Sequence, residues 1–201
     1  MKKKGIRIKA EPAAVILLIG LLLTDRSMLC AAVLLAAAVH ECGHLLAARW
    51  LGLPLRVMRL DLLGARLELS GSMLSFSDEW LLCAAGPCCS LLLSAILSPL
   101  WKLSELAVLV SCASLLLGFL NLLPIRAFDG GRMLDAFLSY RFGAAASEHA
   151  LRLTSLLSLF LIWCGSVYCL LRVGDGLSLL CFSMSLFFGT FPFDTNRKKT
   201  R

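Results

Sequence analysis

Six apolar runs separated by short polar segments make up most of the 201-residue chain. A run of about 20 apolar residues is long enough to cross the hydrocarbon core of a bilayer as a helix. The pattern therefore predicts an all-α polytopic membrane protein with about six transmembrane helices. The runs, of which the first is the shortest, cover residues 11–24, 28–48, 79–101, 105–124, 151–171 and 176–193.

Composition supports a membrane protein and argues against a disulfide framework. Hydrophobic residues make up 59% of the chain and charged residues 16%, which is too apolar for a soluble domain of this size. Nearly all of the nine cysteines fall inside apolar runs, and no pair of CxxC units is present to bind a structural zinc. The cysteines are therefore interpreted as small buried hydrophobic residues.

Basic residues are concentrated in alternate loops. With a cytoplasmic N-terminus, seventeen of the twenty Lys and Arg residues lie on the cytoplasmic side, and only Arg26, Lys102 and Arg172 lie outside. This asymmetry is typical of a multi-pass protein of a bacterial cell membrane, and it predicts that both termini are cytoplasmic. The net charge of +7 does not indicate nucleic acid binding, because the basic residues are not interleaved with aromatic residues.

One connection differs from the others. The segment 53–70 partly alternates between polar and apolar residues on either side of Gly64, which predicts a small β-hairpin at the membrane surface. An irregular amphipathic loop is the alternative, because the alternation breaks at Met58 and Leu63.

Three ionisable residues lie together in the second apolar run. His40 and His44 are four residues apart, so both imidazoles lie on one face of a helix and can share one zinc ion. Glu41 follows the first histidine, where a carboxylate can act as general base towards a metal-activated water. Each charged group in a span costs about 2.5–3.5 kcal/mol, so this clustering calls for a function. A histidine pair satisfied by hydrogen bonds in a helix bundle is the alternative.

A catalytic zinc needs a third protein ligand, and Asp129 is the candidate. Pro124 ends the fourth run, and Gly130 and Gly131 would let the backbone turn closely beside a metal. The second and fourth spans run in the same direction, so both motifs reach the cytoplasmic half of the membrane. Asp135 is a weaker candidate because it lacks the glycine pair.

An HExxH motif in one span followed by Asn-x-x-Pro and Asp-Gly-Gly in a later one resembles the site-2 protease family of intramembrane metalloproteases. The resemblance covers residues 28–135, the expected catalytic core, and implies that His40, His44 and Asp129 bind one Zn²⁺ ion while Glu41 is catalytic. The small size and six spans are similar to the stage IV sporulation branch of that family.

The same resemblance implies a substrate-binding role for Asn121, Pro124 and Gly130. Capping of the broken end of the fourth span is the alternative role for Asn121. The family's Gly-Pro pair in the third span is matched at residues 86–87, where close helix packing and a kink are the simpler explanation. Ser90 stands where the family usually has asparagine, which puts a substrate-positioning role at that position in doubt.

The expected function is regulated cleavage of a membrane-associated or transmembrane protein near the cytoplasmic face, such as activation of a sporulation sigma factor precursor. Residues 1–193 would form a single protease domain in the lipid bilayer, with a short basic cytoplasmic tail at 194–201. No nucleotide-sensing CBS domain is expected, and inhibitory membrane proteins are expected partners. Two alternatives remain open: a membrane zinc transporter or metal sensor, and a membrane binding protein without proteolytic activity.

Overall fold

The structure is a computed structural model that describes residues 7–10, 28–53, 55–61, 64–69, 74–102, 104–173 and 177–190. The chain divides into two compact units, Met1–Asn121 and Leu122–Arg201. The first predicted span, at residues 11–24, and the predicted tail at 194–201 lie outside the described residues.

The first unit contains most of three apolar helices. They match the second, third and fourth predicted runs to within a few residues, which confirms those predictions. A short 3₁₀ turn, Ser98–Leu100, extends the second of them. The helices are α1 (Leu29–Trp50), α2 (Phe76–Leu97) and α3 (Glu105–Leu122).

A three-stranded sheet completes the first unit, in the order β1-β2-β3. Strands β2 (Leu55–Asp61) and β3 (Gly64–Leu69) are antiparallel, so the predicted hairpin is present. Strand β1 (Arg7–Ala10) pairs with β2 in parallel. The sequence did not predict β1, because its four residues belong to the basic opening that was interpreted only as a cytoplasmic segment.

Helices α1 and α2 pack closely because small residues line the contact. On α1, residues at four-residue spacing form one buried row, and three of the five are alanines. At Gly43 a Cβ would lie 2.7 Å from the backbone oxygen of Ala85, so the two backbones approach each other closely. The buried row of α1 consists of Ala32, Ala36, His40, His44 and Ala48.

The second unit consists of a helical hairpin and a further helix, joined around a core of Ile125, Leu159 and Leu186. Helix α4 (Asp129–Phe142) connects through Gly143 to α5 (Ala144–Val173), and α6 (Leu177–Thr190) follows. Gly143 has φ of 86°, which suits glycine at a sharp helix-to-helix corner. Helix α4 was not predicted, and α5 begins seven residues before the predicted run at 151–171.

Within the described residues, four helices are long and apolar enough to cross a membrane. They are Leu29–Trp50, Phe76–Leu100, Glu105–Leu122 and Ala144–Arg172. Many of their large apolar side chains are exposed, as expected for helices surrounded by lipid. The chain is therefore an integral membrane protein. The last predicted run gives α6, whose 14 residues are shorter than a full span.

Candidate metal centre

His40 and His44 occupy adjacent positions in the buried row of α1, facing α2. Their exposed fractions are only 4% and 7%. Two imidazoles placed one helical turn apart present their outer ring nitrogens on the same side. The helix spacing thus brings both rings together, as the sequence predicted.

The two Nε2 atoms are 3.2 Å apart. Two histidines bound to a tetrahedral zinc at about 2.0–2.1 Å each would place their nitrogens roughly 3.3–3.4 Å apart. The observed separation therefore fits two ligands of one zinc ion without a change of backbone position.

The hydrogen bond at Nδ1 of His44 determines which of its two ring nitrogens can bind a metal. His44 Nδ1 lies 2.8 Å from the backbone carbonyl oxygen of Leu82 in α2. A carbonyl oxygen only accepts hydrogen bonds, so Nδ1 carries the proton and the neutral ring has its lone pair on Nε2. A hydrogen bond of this kind on the far side of the ring is typical of metal-binding histidines.

The Nδ1 atom of His40 contacts a side chain and not a backbone carbonyl. His40 Nδ1 lies 2.9 Å from the hydroxyl oxygen of Ser90, and Ser90 is fully buried. Sequence reasoning treated Ser90 only as a departure from a family pattern. The available signal was its spacing: Leu82 and Ser90 lie four residues on either side of Gly86, which puts all three on one face of α2.

Gly86 provides the space that the two rings occupy. A Cβ at this position would overlap the ring of His44 and lie 2.8 Å from Nε2 of His40. The Gly-Pro pair was interpreted mainly as a packing and kink feature of α2. In the structure, the glycine also leaves room for the candidate metal-binding atoms.

Glu41 is half-buried and follows His40 by one residue, about 100° further round α1. Its carboxylate thus begins beside the histidine face and not on it. Cys42, the next residue, is one of five exposed cysteines, so the interpretation of the cysteines as buried residues was wrong for these five.

Asp129 belongs to the second unit, where it is the first residue of α4 and is 91% buried. The sequence predicted a turn at the glycines that follow it, but this was wrong: both lie in the first turn of α4. Both glycines are still required, because the start of α4 approaches the preceding backbone closely. A Cβ at Gly130 would overlap the carbonyl of Leu122, and one at Gly131 would overlap that of Ile125.

The loop before Asp129 is held by α5. The hydroxyl oxygen of Ser155 accepts a hydrogen bond from the backbone N–H of Arg126 at 3.0 Å and donates to the carbonyl of Pro124 at 3.5 Å. The side chain of Arg126 forms an exposed ion pair with Glu148 at 3.6 Å. Ser155 is almost fully buried, so it joins the loop to the core of the second unit.

Two other predicted residues lie at the end of α3. Asn121 donates from Nδ2 to the carbonyl of Leu117 at 3.0 Å, a bond within its own helix. Pro124 follows the last helical residue by two positions, which agrees with its predicted role in ending the fourth span.

The weaker candidates have ordinary structural surroundings. The carboxylate of Asp135 accepts a hydrogen bond from Ser147 at 2.6 Å, which joins the start of α5 to α4, and one from Ser139 at 3.3 Å within α4. His149, the third histidine of the chain, is exposed on α5.

Sequence comparison relates this chain to known peptidases. Residues 98–165 match the profile of Peptidase family M50, a stretch that includes Asp129 but not the histidine pair. The chain is also 35% identical over 124 residues to the "Putative zinc metalloprotease Rip3" of two strains of Mycobacterium tuberculosis, Erdman and H37Rv. That alignment covers 56% of this chain but only 32% of the relative, so the chain spans about a third of the relative's length.

Structural comparison covers nearly the whole chain. The fold is similar to that of the "Site-2 Protease from Methanocaldococcus jannaschii", with a TM-score of 0.67 and 24% sequence identity. The similarity extends over 94% of this chain and 91% of the other. This chain therefore has the fold of that site-2 protease.

Proposed function

We propose that this protein is an intramembrane zinc metalloprotease that cleaves a membrane-associated or transmembrane protein near the cytoplasmic face. One observation carries the proposal. The Nε2 atoms of His40 and His44 lie 3.2 Å apart inside an apolar helix pair, and each ring is held from behind through its Nδ1 atom. Two buried nitrogens that converge in this way are arranged to bind a cation.

The proposed ligands of one zinc ion are His40, His44 and Asp129. Asp129 is included because its motif resembles that of the family and because the predicted topology brings α1 and α3 to the same side of the membrane. When bound, zinc would lower the pKa of a water molecule and polarise the scissile carbonyl.

Glu41 is the proposed general base. Its position next to His40 lets the carboxylate take a proton from the attacking water, and its half-buried setting still leaves it accessible to water. The same group then returns the proton to the leaving amine of the cleaved peptide bond. Substitution by glutamine keeps the shape of the side chain and removes this function.

An extended substrate segment is proposed to bind by strand addition. Among the described strands β2 is paired on both sides, which leaves β1 and β3 as edges. Main-chain hydrogen bonds to such an edge hold a peptide extended, as a protease requires. Asn121, Pro124 and Gly130, at the end of α3 and the start of α4, are proposed to contact the substrate near the site of cleavage.

The proposed substrate class follows from the resemblance to the stage IV sporulation branch. It is the membrane-associated precursor of a sporulation sigma factor, with inhibitory membrane proteins as regulators. Residues 1–193 would act as one protease domain, and the excess of basic residues in alternate loops supports cytoplasmic termini.

The experiment compares the parent with Glu41→Gln in cells and as purified protein in detergent. We expect Glu41→Gln to bind zinc with unchanged stoichiometry and to lose cleavage by at least about 100-fold, the lower end of what general acid–base catalysis contributes. New protein N-termini in isolated membranes identify the substrates, which accumulate uncut in cells that carry Glu41→Gln.

The same variant separates the alternative functions. A zinc transporter does not need a carboxylate beside its first ligand, so zinc flux into vesicles would be unchanged by Glu41→Gln if transport were the function. A purified Glu41→Gln protein that cuts a substrate as fast as the parent would disprove the protease mechanism.

A further inference from the structure

Each histidine of the candidate metal centre forms a hydrogen bond through its Nδ1 atom, but the two partners are different kinds of group. His44 is held by a main-chain carbonyl, that of Leu82, which every residue type supplies. His40 is held by the side chain of Ser90. Of these two contacts, only the second depends on which amino acid occupies the position.

The surroundings of Ser90 favour a directed contact. The residue has no exposed surface, and its hydroxyl oxygen lies 2.9 Å from Nδ1 of His40, fifty positions away in sequence. A buried hydroxyl and a buried ring nitrogen each lose their water on folding, so this bond satisfies both groups.

A serine hydroxyl can donate or accept, so the bond by itself allows either tautomer of His40. Binding of the proposed metal settles the choice. The Nδ1 proton of His44 leaves a lone pair on its Nε2, which is 3.2 Å from Nε2 of His40. For both Nε2 atoms to offer lone pairs to one cation, His40 must carry its proton on Nδ1 and donate it to Ser90.

We infer that Ser90 is a positioning residue that holds His40 in the tautomer and orientation needed to bind the metal. The inference rests on the proposed function, because it concerns the same zinc site. Ser90 does not touch the metal or the substrate. It acts through the His40 ring, and its hydroxyl serves as a hydrogen-bond acceptor.

The next turn of α2 supplies a matched control. Ser94 is also buried, at 5% exposure, and its hydroxyl lies 3.1 Å from that of Ser111 on α3. Replacing either Ser90 or Ser94 by alanine removes one buried hydroxyl from the same helix face. Only the first change removes an acceptor from a metal-binding ring.

The test measures zinc affinity by competition with a chelator on the full chain in detergent, without any assay of cleavage. The loss of an outer-shell partner typically weakens metal binding by about 10–100-fold, and this range is expected for Ser90→Ala. Ser94→Ala should stay within about threefold of the parent, and Ser90→Thr, which keeps the hydroxyl, should recover most of the lost affinity.

Cobalt provides a second readout that a purely structural role would not change. The d–d absorption bands of bound Co²⁺ report ligand geometry, so Ser90→Ala should shift these bands while Ser94→Ala leaves them as in the parent. The double variant His40→Ala/His44→Ala measures the amount of metal that binds elsewhere, including at the nine cysteines. This amount is subtracted from every titration.

The outcomes separate this inference from the proposed function. If the parent binds zinc through the histidine pair and Ser90→Ala matches Ser94→Ala in both affinity and cobalt spectrum, the role of Ser90 is disproved and the zinc site stands. If the parent binds no more metal than the double histidine variant, the proposed zinc site itself fails, and the role of Ser90 fails with it.

Discussion

The histidine pair and the Asp129 loop are held in place in different ways. The rings of His40 and His44 are held by direct hydrogen bonds to their own nitrogens from one face of α2. Asp129 lies at the start of a helix whose preceding loop is fixed through main-chain atoms by Ser155. In the first region the hydrogen bonds reach the side chains of the functional residues themselves, whereas in the second they reach the backbone of the loop.

The largest expected effect is in the first region. Gly86→Ala places a Cβ where the His44 ring lies, so at least one ring must turn away from the shared position. We expect zinc affinity to fall by more than about 100-fold, beyond the range for loss of an outer-shell partner. Chelator competition measures the affinity, and thermal unfolding shows whether the protein remains folded.

Gly165→Ala is the control for this substitution, because nothing lies within 4 Å of a Cβ at that helical position. It should leave zinc binding unchanged. If Gly86→Ala bound zinc as tightly as the parent, the histidine rings would not be confined by α2, and the contrast between the two regions would disappear.

The second prediction asks whether the Asp129 region belongs to the metal site. Asp129→Asn removes the charge of the proposed third ligand, so zinc affinity should fall by at least about tenfold. Asp135→Asn is the matched change six residues later. It weakens the hydrogen bonds from Ser147 and Ser139, so it should lower the unfolding free energy by about 1 kcal/mol and leave zinc binding unchanged.

Zinc titration and thermal unfolding of both variants distinguish the two aspartates. Equal zinc affinity in the parent and Asp129→Asn would remove this residue from the proposed ligand set. A loss of affinity in Asp135→Asn alone would exchange their roles, since both carboxylates were considered for the third ligand.

The histidine region could be predicted from the sequence only in part. His40, Glu41 and His44 lie within one helix, so their spacing alone places both rings on one face. Ser90 could not be assigned its contact, because its spacing from Gly86 marks one face of α2 but does not show that α1 packs against that face. The packing of Gly86 against the rings was missed for the same reason.

The backbone features were harder to predict. Strand β1 has four residues, too few for a recognisable alternation, and its partner in β2 is far along the chain. Helix α4 contains polar and charged residues beside its glycine pair, so no apolar run marked it. The apolar helices were predicted well because their length and composition are set by the thickness of the bilayer.

The smallest expected effects are in the loop before Asp129. There Arg126 forms one bond through its backbone N–H and another through its side chain. Ser155→Ala removes the acceptor of the Arg126 backbone N–H in a part-buried setting, at a cost of about 1 kcal/mol in unfolding free energy. Arg126→Ala removes only the exposed ion pair with Glu148 and keeps the backbone N–H, so it should cost less than about 0.5 kcal/mol.

Thermal unfolding in detergent, with and without added salt, measures both changes. The effect of Arg126→Ala should shrink further in salt, because exposed charges are screened, whereas that of Ser155→Ala should not change. If Arg126→Ala were the more harmful of the two, the side chain and not the backbone would hold this loop. The Asp129 region would then be held through one of its own side chains, as the histidine rings are.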